Sequence, residues 1–366
     1  MKDSFEFVLF SSIILFVIWI GSVFQAPSHE QIYLDIDTKA EQTLRSMSLE
    51  EKVGQLFMLG FWGEQPTPYI LTMIKDKGIG GVILLGYNID NEDQTKKLIA
   101  NLESVSKYPL LISVDQEGGV VARIKFEDTY SIAQYEIQNE KEAYEISKIR
   151  GEELKDLGFN VNYSPVLDNI SSSNSFLYSR SFRKSQEESS KLAVQMINGY
   201  QSSGILSCVK HFPGHSNETL DSHNSLDSVN ITKNNLDSYI YQFKEPLKYA
   251  DCVMMGHIMF PYIDSSNPTS MSEYFLRNVL RDDLRFNGII ITDDMEMKSI
   301  TDRYTVEEAA VLGIHSGNDI LLYVGQQDVQ TRAYNAVLSA VHRGDISEDE
   351  INSKVLRILR YKYSLD

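Results

Sequence analysis

The feature that most constrains the fold is a regular alternation of short apolar runs with longer amphipathic stretches, which continues from about residue 48 to about residue 363. Eight of the runs are short and rich in β-branched residues, which is typical of buried strands. The eight predicted strands are Leu56–Phe61, Gly81–Leu85, Leu110–Val114, Asn160–Ser164, Leu206–Lys210, Cys252–His257, Ile289–Thr292 and Asp319–Tyr323.

The stretches between these runs predict the helices, because their apolar residues recur about every 3.6 positions. They cover residues 68–77, 92–107, 139–157, 186–203, 233–248, 274–284, 302–316 and 328–343, and a last helix covers about 347–363. A capping box at Ser48–Glu51 begins a further helix. Strands that alternate with helices pair in parallel, and eight such units fit one (β/α)8 TIM-type barrel. We therefore predict an α/β barrel, with a doubly wound open sheet as the alternative.

The N-terminus differs from the rest of the chain. Phe7–Ala26 is a 20-residue stretch without a charged side chain, which is long enough to cross a bilayer as a helix. We interpret residues 1–26 as a retained signal-anchor or a signal peptide cleaved near Ala26–Ser28, and the length of the apolar run favours the anchor. A buried core helix is a third interpretation. Either of the first two predicts an extracytoplasmic protein, secreted or attached to the membrane through residues 7–26.

Length and charge limit the remaining possibilities. Removing 26 of the 366 residues leaves 340, so a spacer at 27–45 and one barrel domain at 46–366 use the whole chain. The chain has 34 Lys and Arg against 51 Asp and Glu, and its net charge of −17 argues against a nucleic-acid partner. Two cysteines are too few for a disulfide framework or a cysteine zinc site. Nothing in the sequence indicates an oligomeric state.

Polar residues crowd the carboxyl ends of the predicted strands, which is where barrel enzymes place their active sites. Residues 115–119 follow strand three, Asp168 follows strand four, residues 210–215 follow strand five, His257 ends strand six, and Asp293-Asp294 follow strand seven. Adjacent residues of a strand point to opposite sides, so we expect only one of the two aspartates to face the barrel axis.

The segment 210–223, KHFPGHSNETLDSH, contains three of the seven histidines. His211 and His215 have the i, i+4 spacing of a helical zinc site, although Pro213-Gly214 between them opposes a helix. A hydrogen-bonded structural loop is a second interpretation. Proton transfer by Asp221 and His223 is a third, because an imidazole can donate and accept protons near neutrality. Magnesium held by Asp293 together with Asp115 is an alternative for strand seven.

These motifs resemble the bacterial β-N-acetylglucosaminidases of glycoside hydrolase family 3, over about Ser48 to Tyr363. The specific motif K-H-F-P-G-H-x5-D-S-H spans Lys210–His223, and Asp-Asp-x-x-Met is represented by Asp293-Asp294 with the residues after them. The block VDQEGG at Val114–Gly119 also matches. Further matches are Arg123, Arg180-Ser181-Phe182, Ile83-Leu84-Leu85 with Asn88, and Gly317-Asn318-Asp319. The chain departs from the family pattern at Val120, where the family has arginine, and at Ser216, where it has glycine.

The resemblance implies a retaining exo-β-N-acetylglucosaminidase that forms a covalent glycosyl-enzyme and uses no metal or cofactor. It implies Asp293 as nucleophile and His223 as general acid/base, oriented by Asp221. The residues implied to bind the terminal N-acetylglucosamine are Asp115, Arg123, Arg180, Lys210 and His211. The expected substrate is a peptidoglycan-type fragment. Phosphorolysis at the same site, a catalytically silent wall-binding module and a metal-dependent hydrolase are the alternatives.

Overall fold

The structure, a computed structural model, describes residues 29–126, 131–217 and 226–365, and within them eight parallel strands close into one barrel. The strands are β1 (Phe57–Leu59), β2 (Gly81–Leu84), β3 (Leu111–Val114), β4 (Val161–Asn162), β5 (Leu206–Phe212), β6 (Cys252–Met255), β7 (Ile289–Asp294) and β8 (Ile320–Tyr323). Each strand pairs with the next one along the chain, and β8 pairs with β1. The predicted barrel is confirmed, and its closure excludes the open sheet.

Helices surround the barrel as the periodicity predicts. They are α1 (His29–Ser46), α2 (Leu49–Gln55), α3 (Pro68–Lys77), α4 (Glu92–Ser104), α5 (Glu140–Leu157), α6 (Gln186–Ser202), α7 (Lys233–Tyr239), α8 (Tyr241–Lys244), α9 (Lys298–Thr301), α10 (Val306–Ser316), α11 (Gln327–Arg343) and α12 (Glu348–Tyr363). The capping box is present: the Glu51 N–H donates to Ser48 Oγ, and the Ser48 N–H donates to the Glu51 carboxylate at 2.9 Å. It satisfies donors at the start of α2 that have no partner within the helix.

Several predicted elements differ in detail. The helix predicted at 233–248 is divided into α7, α8 and a 3₁₀ turn at Pro246–Lys248. The stretch 274–284 is a π-helix, Tyr274–Asp283. Strand β4 is shorter than predicted and ends before Pro165, which has no N–H to donate to a neighbouring strand.

Strands β5 and β7 run further toward the carboxyl rim than predicted. β5 continues past Lys210 to Phe212 and so includes His211, and β7 continues past Thr292 to include Asp293 and Asp294. These residues therefore stand on paired strands and not in loops, which limits their movement.

Two cysteines lie side by side within the barrel wall. Cys208 of β5 and Cys252 of β6 are partners in the strand register, both are buried, and their sulfurs form a disulfide. Cys208 lies two residues before Lys210 on β5. The disulfide therefore joins two barrel strands directly beneath the carboxyl rim.

Helix α1 covers most of the stretch interpreted as a spacer, and it contacts the last helix. Thr43 Oγ1 and Tyr363 Oη are 2.7 Å apart, and Arg360 Nε donates to the Asp37 carboxylate at 2.8 Å. The predicted anchor at Phe7–Ala26 lies outside the described residues. Within the three described segments, none of the helices combines the length and the apolar character that crossing a bilayer requires.

Candidate active site

A cavity of about 240 Å³ opens at the carboxyl rim of the barrel, where the sequence predicts the site. Loops after β3 and β4 and the ends of β5 and β7 supply its charged residues, and β2, β6 and β8 supply apolar ones. The lining residues are Ile83, Leu85, Asp115, Glu117, Val121, Arg123, Phe176, Arg180, Lys210, His211, Met254, Asp293, Asp294, Leu322 and Val324.

The cavity wall contains a buried network of two cations and two carboxylates. Lys210 Nζ lies 2.7 Å from Asp115 Oδ1 and 2.5 Å from Glu117 Oε1. Arg180 holds Glu117 with both sides of its guanidinium, at 2.9 Å from Nε and 2.8 Å from Nη2. Arg123 Nη2 lies 3.5 Å from Asp115 Oδ2 at the more exposed edge. The pairing neutralises charges that would be costly to bury singly.

The network keeps its carboxylates ionised. Burial raises the pKa of a carboxyl group, but Arg180 and Lys210 outweigh burial and hold the pKa of Glu117 at about 2. Lys210 and Arg123 likewise keep the pKa of Asp115 below its usual value despite burial. Both side chains therefore accept hydrogen bonds and present fixed negative charge at neutral pH.

The Asp168 carboxylate contacts two histidines, His211 and His215. One carboxylate oxygen accepts from the His211 N–H at 3.0 Å and contacts His211 Nδ1 at 2.7 Å. The other accepts from the His215 N–H at 2.7 Å and contacts His215 Nδ1 at 2.8 Å. A single buried carboxylate thus holds both the backbone and the rings of the segment after β5.

The surroundings of Asp168 determine the state of each imidazole. The imidazoles keep the pKa of Asp168 well below its usual range although burial acts to raise it. Burial lowers the pKa of His211, so this ring is neutral at neutral pH, donates from Nδ1 to Asp168 and leaves Nε2 as an acceptor. Nε2 lies 3.4 Å from Arg180 Nη2, which is a donor. For His215 burial opposes protonation, but the charge of Asp168 outweighs it and raises the pKa.

The same three residues are the candidate metal ligands of the described part of the chain. The donor atoms of Asp168, His211 and His215 lie within 4.8 Å of one another. Both Nδ1 atoms are at hydrogen-bonding distance from Asp168, and the segment is an extended strand and turn, as Pro213-Gly214 predicts. The helical zinc site with i, i+4 spacing is therefore not what this segment forms.

Asp293 and Asp294 both line the cavity, so the expectation that only one of them faces the barrel is wrong. The register with β8 shifts between Ile291 and Asp294, and such an irregularity turns successive side chains to the same side. The Asp294 N–H donates to Asp293 Oδ1 at 2.7 Å. Burial raises the pKa of Asp294 to about 8, so this carboxyl group is protonated near neutrality and places no second negative charge beside Asp293.

His257, which the sequence places at the same rim, forms a hydrogen bond to the backbone of this pair. Its Nε2 donates to the Asp294 carbonyl at 3.0 Å, and its Nδ1 lies 2.7 Å from Ser270 Oγ. Burial lowers the pKa of His257. The ring therefore positions the turn after β7 and does not line the cavity.

The loop that contains Asp221 and His223 lies at 218–225, outside the described residues. Its two ends are tied together, because Ser216 donates from its N–H and from Oγ to the Asp227 carboxylate, at 2.9 Å in each case. Among the described residues the non-glycine residues with positive φ are Arg183 and Arg285, so Ser216 stands where the family has glycine without backbone strain. Residues before and after this loop line a cavity of about 650 Å³.

The structure brings six predicted residues around one cavity: Asp115, Arg123, Arg180, Lys210, His211 and Asp293. The sequence did not assign roles to Glu117, Asp168 or Phe176. Glu117 and Asp168 follow predicted strands, so the sequence predicts that they lie at the carboxyl rim. It does not predict which residues they contact there. Phe176, whose ring lies 5.8 Å from the Arg180 guanidinium, carries no sequence signal. The other departure, Val120, is exposed.

Comparisons with known proteins agree on one family. Residues 48–361 match the model described as the glycosyl hydrolase family 3 N terminal domain. The chain is 30% identical to beta-hexosaminidase A of Pseudoalteromonas piscicida over 81% of its own length and 55% of that protein. It is 29% identical to the beta-hexosaminidase of Idiomarina loihiensis, over 82% of its own length and 92% of that protein.

A solved structure gives the same result. A glycoside hydrolase family 3 beta-N-acetylglucosaminidase from a Paenibacillus species superimposes with a TM-score of 0.83 at 34% identity. The match covers 87% of this chain and 63% of that one. The chain thus spans about half the length of the Pseudoalteromonas protein and less than two thirds of the Paenibacillus protein, but nearly all of the Idiomarina protein.

Replacement of Asp168 by asparagine tests the carboxylate that holds both histidines. An amide has one acceptor oxygen and turns an NH2 group toward two donors, so we expect a loss of about 2–5 kcal/mol in the free energy of unfolding. The loss should be larger at pH 5.5 than at pH 8.5, because the raised pKa of His215 adds a stabilising charge pair that disappears as pH rises through that pKa. Urea unfolding of the wild-type protein and the variant at both pH values measures this loss of stability.

The matched control is Asp156→Asn, an exposed carboxylate paired with Lys96, which should change stability by less than about 1 kcal/mol. A cost for Asp168→Asn that is the same at both pH values would contradict the assigned charge pair.

Proposed function

The chain belongs to glycosyl hydrolase family 3, and from this premise we propose that it is a retaining β-N-acetylglucosaminidase that removes terminal N-acetylglucosamine. The observation that carries the proposal is one small cavity lined both by Asp293 and by the network of Asp115, Glu117, Lys210 and Arg180. Its volume of about 240 Å³ lies below the range of about 300–1,000 Å³ usual for drug-sized ligands. A single sugar ring suits a pocket of that size, which supports exo action.

The proposed reaction proceeds in two steps. Asp293 attacks the anomeric carbon, and His223 donates a proton to the departing glycosidic oxygen, so that the C–O bond breaks as the aspartyl ester forms. His223, oriented by Asp221, then takes a proton from water, which attacks the anomeric carbon and releases Asp293. The raised pKa of Asp294 supports Asp293 as the nucleophile, because a carboxyl group that is protonated near neutrality is a poor nucleophile.

Sugar hydroxyl groups would be held by groups whose charges are already balanced. The Lys210 ammonium has three protons and donates two of them to Asp115 and Glu117, so the third can be donated to a sugar hydroxyl group. Asp115 is a permanent acceptor, and His211 Nε2 is an acceptor beside the Arg180 donor. Such preorganised, charge-assisted partners select the hydroxyl pattern of one sugar.

The nucleophile assignment predicts opposite outcomes for the two adjacent aspartates. Asp293→Asn should lower kcat for p-nitrophenyl β-N-acetylglucosaminide by roughly 10⁴-fold or more, because an amide cannot form the ester. Asp294→Asn should change kcat by only a few-fold at pH 6.5, because asparagine resembles the protonated carboxyl group and can still accept from the Glu296 and Val324 N–H groups.

Release of p-nitrophenol measures both rates. The nucleophile would have to be reassigned if the two variants lost activity in the reverse order.

The acid/base role of His223 predicts an effect that depends on the leaving group. His223→Ala should slow hydrolysis of N,N′-diacetylchitobiose by about 10²–10⁴-fold, because a sugar alkoxide cannot leave without a proton. A good leaving group such as 2,4-dinitrophenolate needs none, so the first step should be much less affected there. A burst of dinitrophenol followed by slow turnover would be the signature. An equal loss on both substrates would show that His223 acts in another way.

The same assays separate the alternatives. Product formed as N-acetylglucosamine 1-phosphate when phosphate is added would establish phosphorolysis. Binding of N-acetylglucosamine without turnover would establish a silent module, and loss of activity with a chelator would establish a metal-dependent hydrolase.

We further propose that the substrates are peptidoglycan-type fragments met outside the cytoplasm, and that Phe7–Ala26 anchors the protein in the membrane. The apolar N-terminal sequence supports this, as does the Cys208–Cys252 disulfide, because disulfides persist in oxidising compartments. Cell fractionation with protease protection should find the barrel in the membrane fraction and outside the cytoplasm. A soluble cytoplasmic enzyme would contradict the proposal.

A further inference from the structure

Two aromatic rings lie stacked on the surface beside the cavity, and neither has a role in the mechanism above. Trp62 follows β1 and is 65% exposed, and Tyr87 follows β2 and is half-buried. Their ring centroids are 4.0 Å apart and their planes differ by 16°. A large aromatic face left in water costs free energy that a ligand can recover on binding.

One buried side chain, that of Asn88, holds both loops that carry the rings. Asn88, fully buried, donates from Nδ2 to the carbonyls of Phe61 at 2.9 Å and Gly63 at 2.7 Å, on either side of Trp62. Its Oδ1 accepts from the Leu85 N–H at 2.8 Å, across the turn that carries Tyr87. The two aromatic residues therefore stand on loops that one amide side chain fixes to each other.

The loops that carry the pair adjoin residues that line the catalytic cavity. Leu85 and Val324 line that cavity, and Tyr87 lies two residues beyond Leu85. The Gly60 N–H donates to the Tyr323 carbonyl at 2.8 Å, which holds the chain before Trp62 beside β8. Burial raises the pKa of Tyr87, and the guanidinium of Arg123, which lines the cavity, acts to lower it.

A second, shallow groove shares a lining residue with the catalytic cavity. It has a volume of about 340 Å³ and is lined by Gly86, Ile89, Asp90, Ala122, Arg123, Lys125 and Phe126. Arg123 lines both the groove and the catalytic cavity, and Gly86 adjoins Tyr87. The groove therefore adjoins the catalytic cavity at Arg123 and the loop of Tyr87 at Gly86.

We propose that Trp62 and Tyr87 form a stacking platform for the pyranose ring of the leaving group. This inference rests on the proposed function, because the catalytic cavity takes one sugar and the ring that departs must then lie at its mouth. Aromatic faces carry negative electrostatic potential, and the axial C–H bonds of a β-linked pyranose present positive edges to them. The platform gives the enzyme a preference for sugar leaving groups that the cavity alone does not provide.

The experiment compares two substrates that share the glycosyl ring. N,N′-Diacetylchitobiose has a pyranose leaving group, and β-N-acetylglucosaminyl fluoride has none. Trp62→Ala should lower kcat/KM for chitobiose roughly tenfold and leave kcat/KM for the fluoride within about twofold. Trp62→Phe should restore most of the chitobiose rate because it keeps an aromatic face. Tyr87→Ala gives the same contrast if Trp62→Ala does not fold.

The matched control is Tyr249→Ala, an exposed aromatic residue at the amino-terminal side of β6, which should alter neither rate. Equal losses on both substrates, or no loss on chitobiose, would overturn the platform while leaving the proposed function intact. Failure of the wild-type protein to cleave either substrate would overturn both proposals.

Discussion

The site depends on a buried set of charges that neutralise one another. Asp115 and Glu117 after β3, Lys210 on β5 and Arg180 in the loop before α6 form two anion–cation pairs inside the carboxyl end of the barrel. Removal of one of them would leave a buried charge that the remaining members do not balance, at a cost of about 3–5 kcal/mol. The network is possible because a closed parallel barrel brings the ends of distant strands to one rim.

A second layer of contacts positions the groups that face the cavity. Asp168 sets the tautomer of His211, His257 holds the backbone of Asp294, and Ser216 with Asp227 closes the base of the loop that carries His223. None of these contacts requires a substrate, so the arrangement is preorganised. Preorganisation of this kind provides much of the transition-state stabilisation in enzymes.

Much of the fold could be predicted because its signals are local. Eight apolar runs and the helices after them follow from periodicity, and the capping box at Ser48 follows from four adjacent residues. The rim could be predicted from the same pattern, since Asp115, Lys210 and Asp293 follow or end strands. The four hydrogen bonds to Asp168 could not, because His211 and His215 lie more than 40 residues away along the chain. The Trp62–Tyr87 stack could not be predicted either, because the two rings stand on loops that follow different strands.

The sequence by itself determined that this chain alternates strands and helices, that polar residues gather after the strands, and that its motifs are those of one family. These properties depend on residues close together in the chain. Only the tertiary structure decided that Asp293 and Asp294 face the same cavity, since a register shift against β8 is a property of two strands. It also decided which carboxyl groups are ionised, because the pKa values of Glu117 and Asp294 differ through burial and neighbouring charge, and both arise only when distant segments meet.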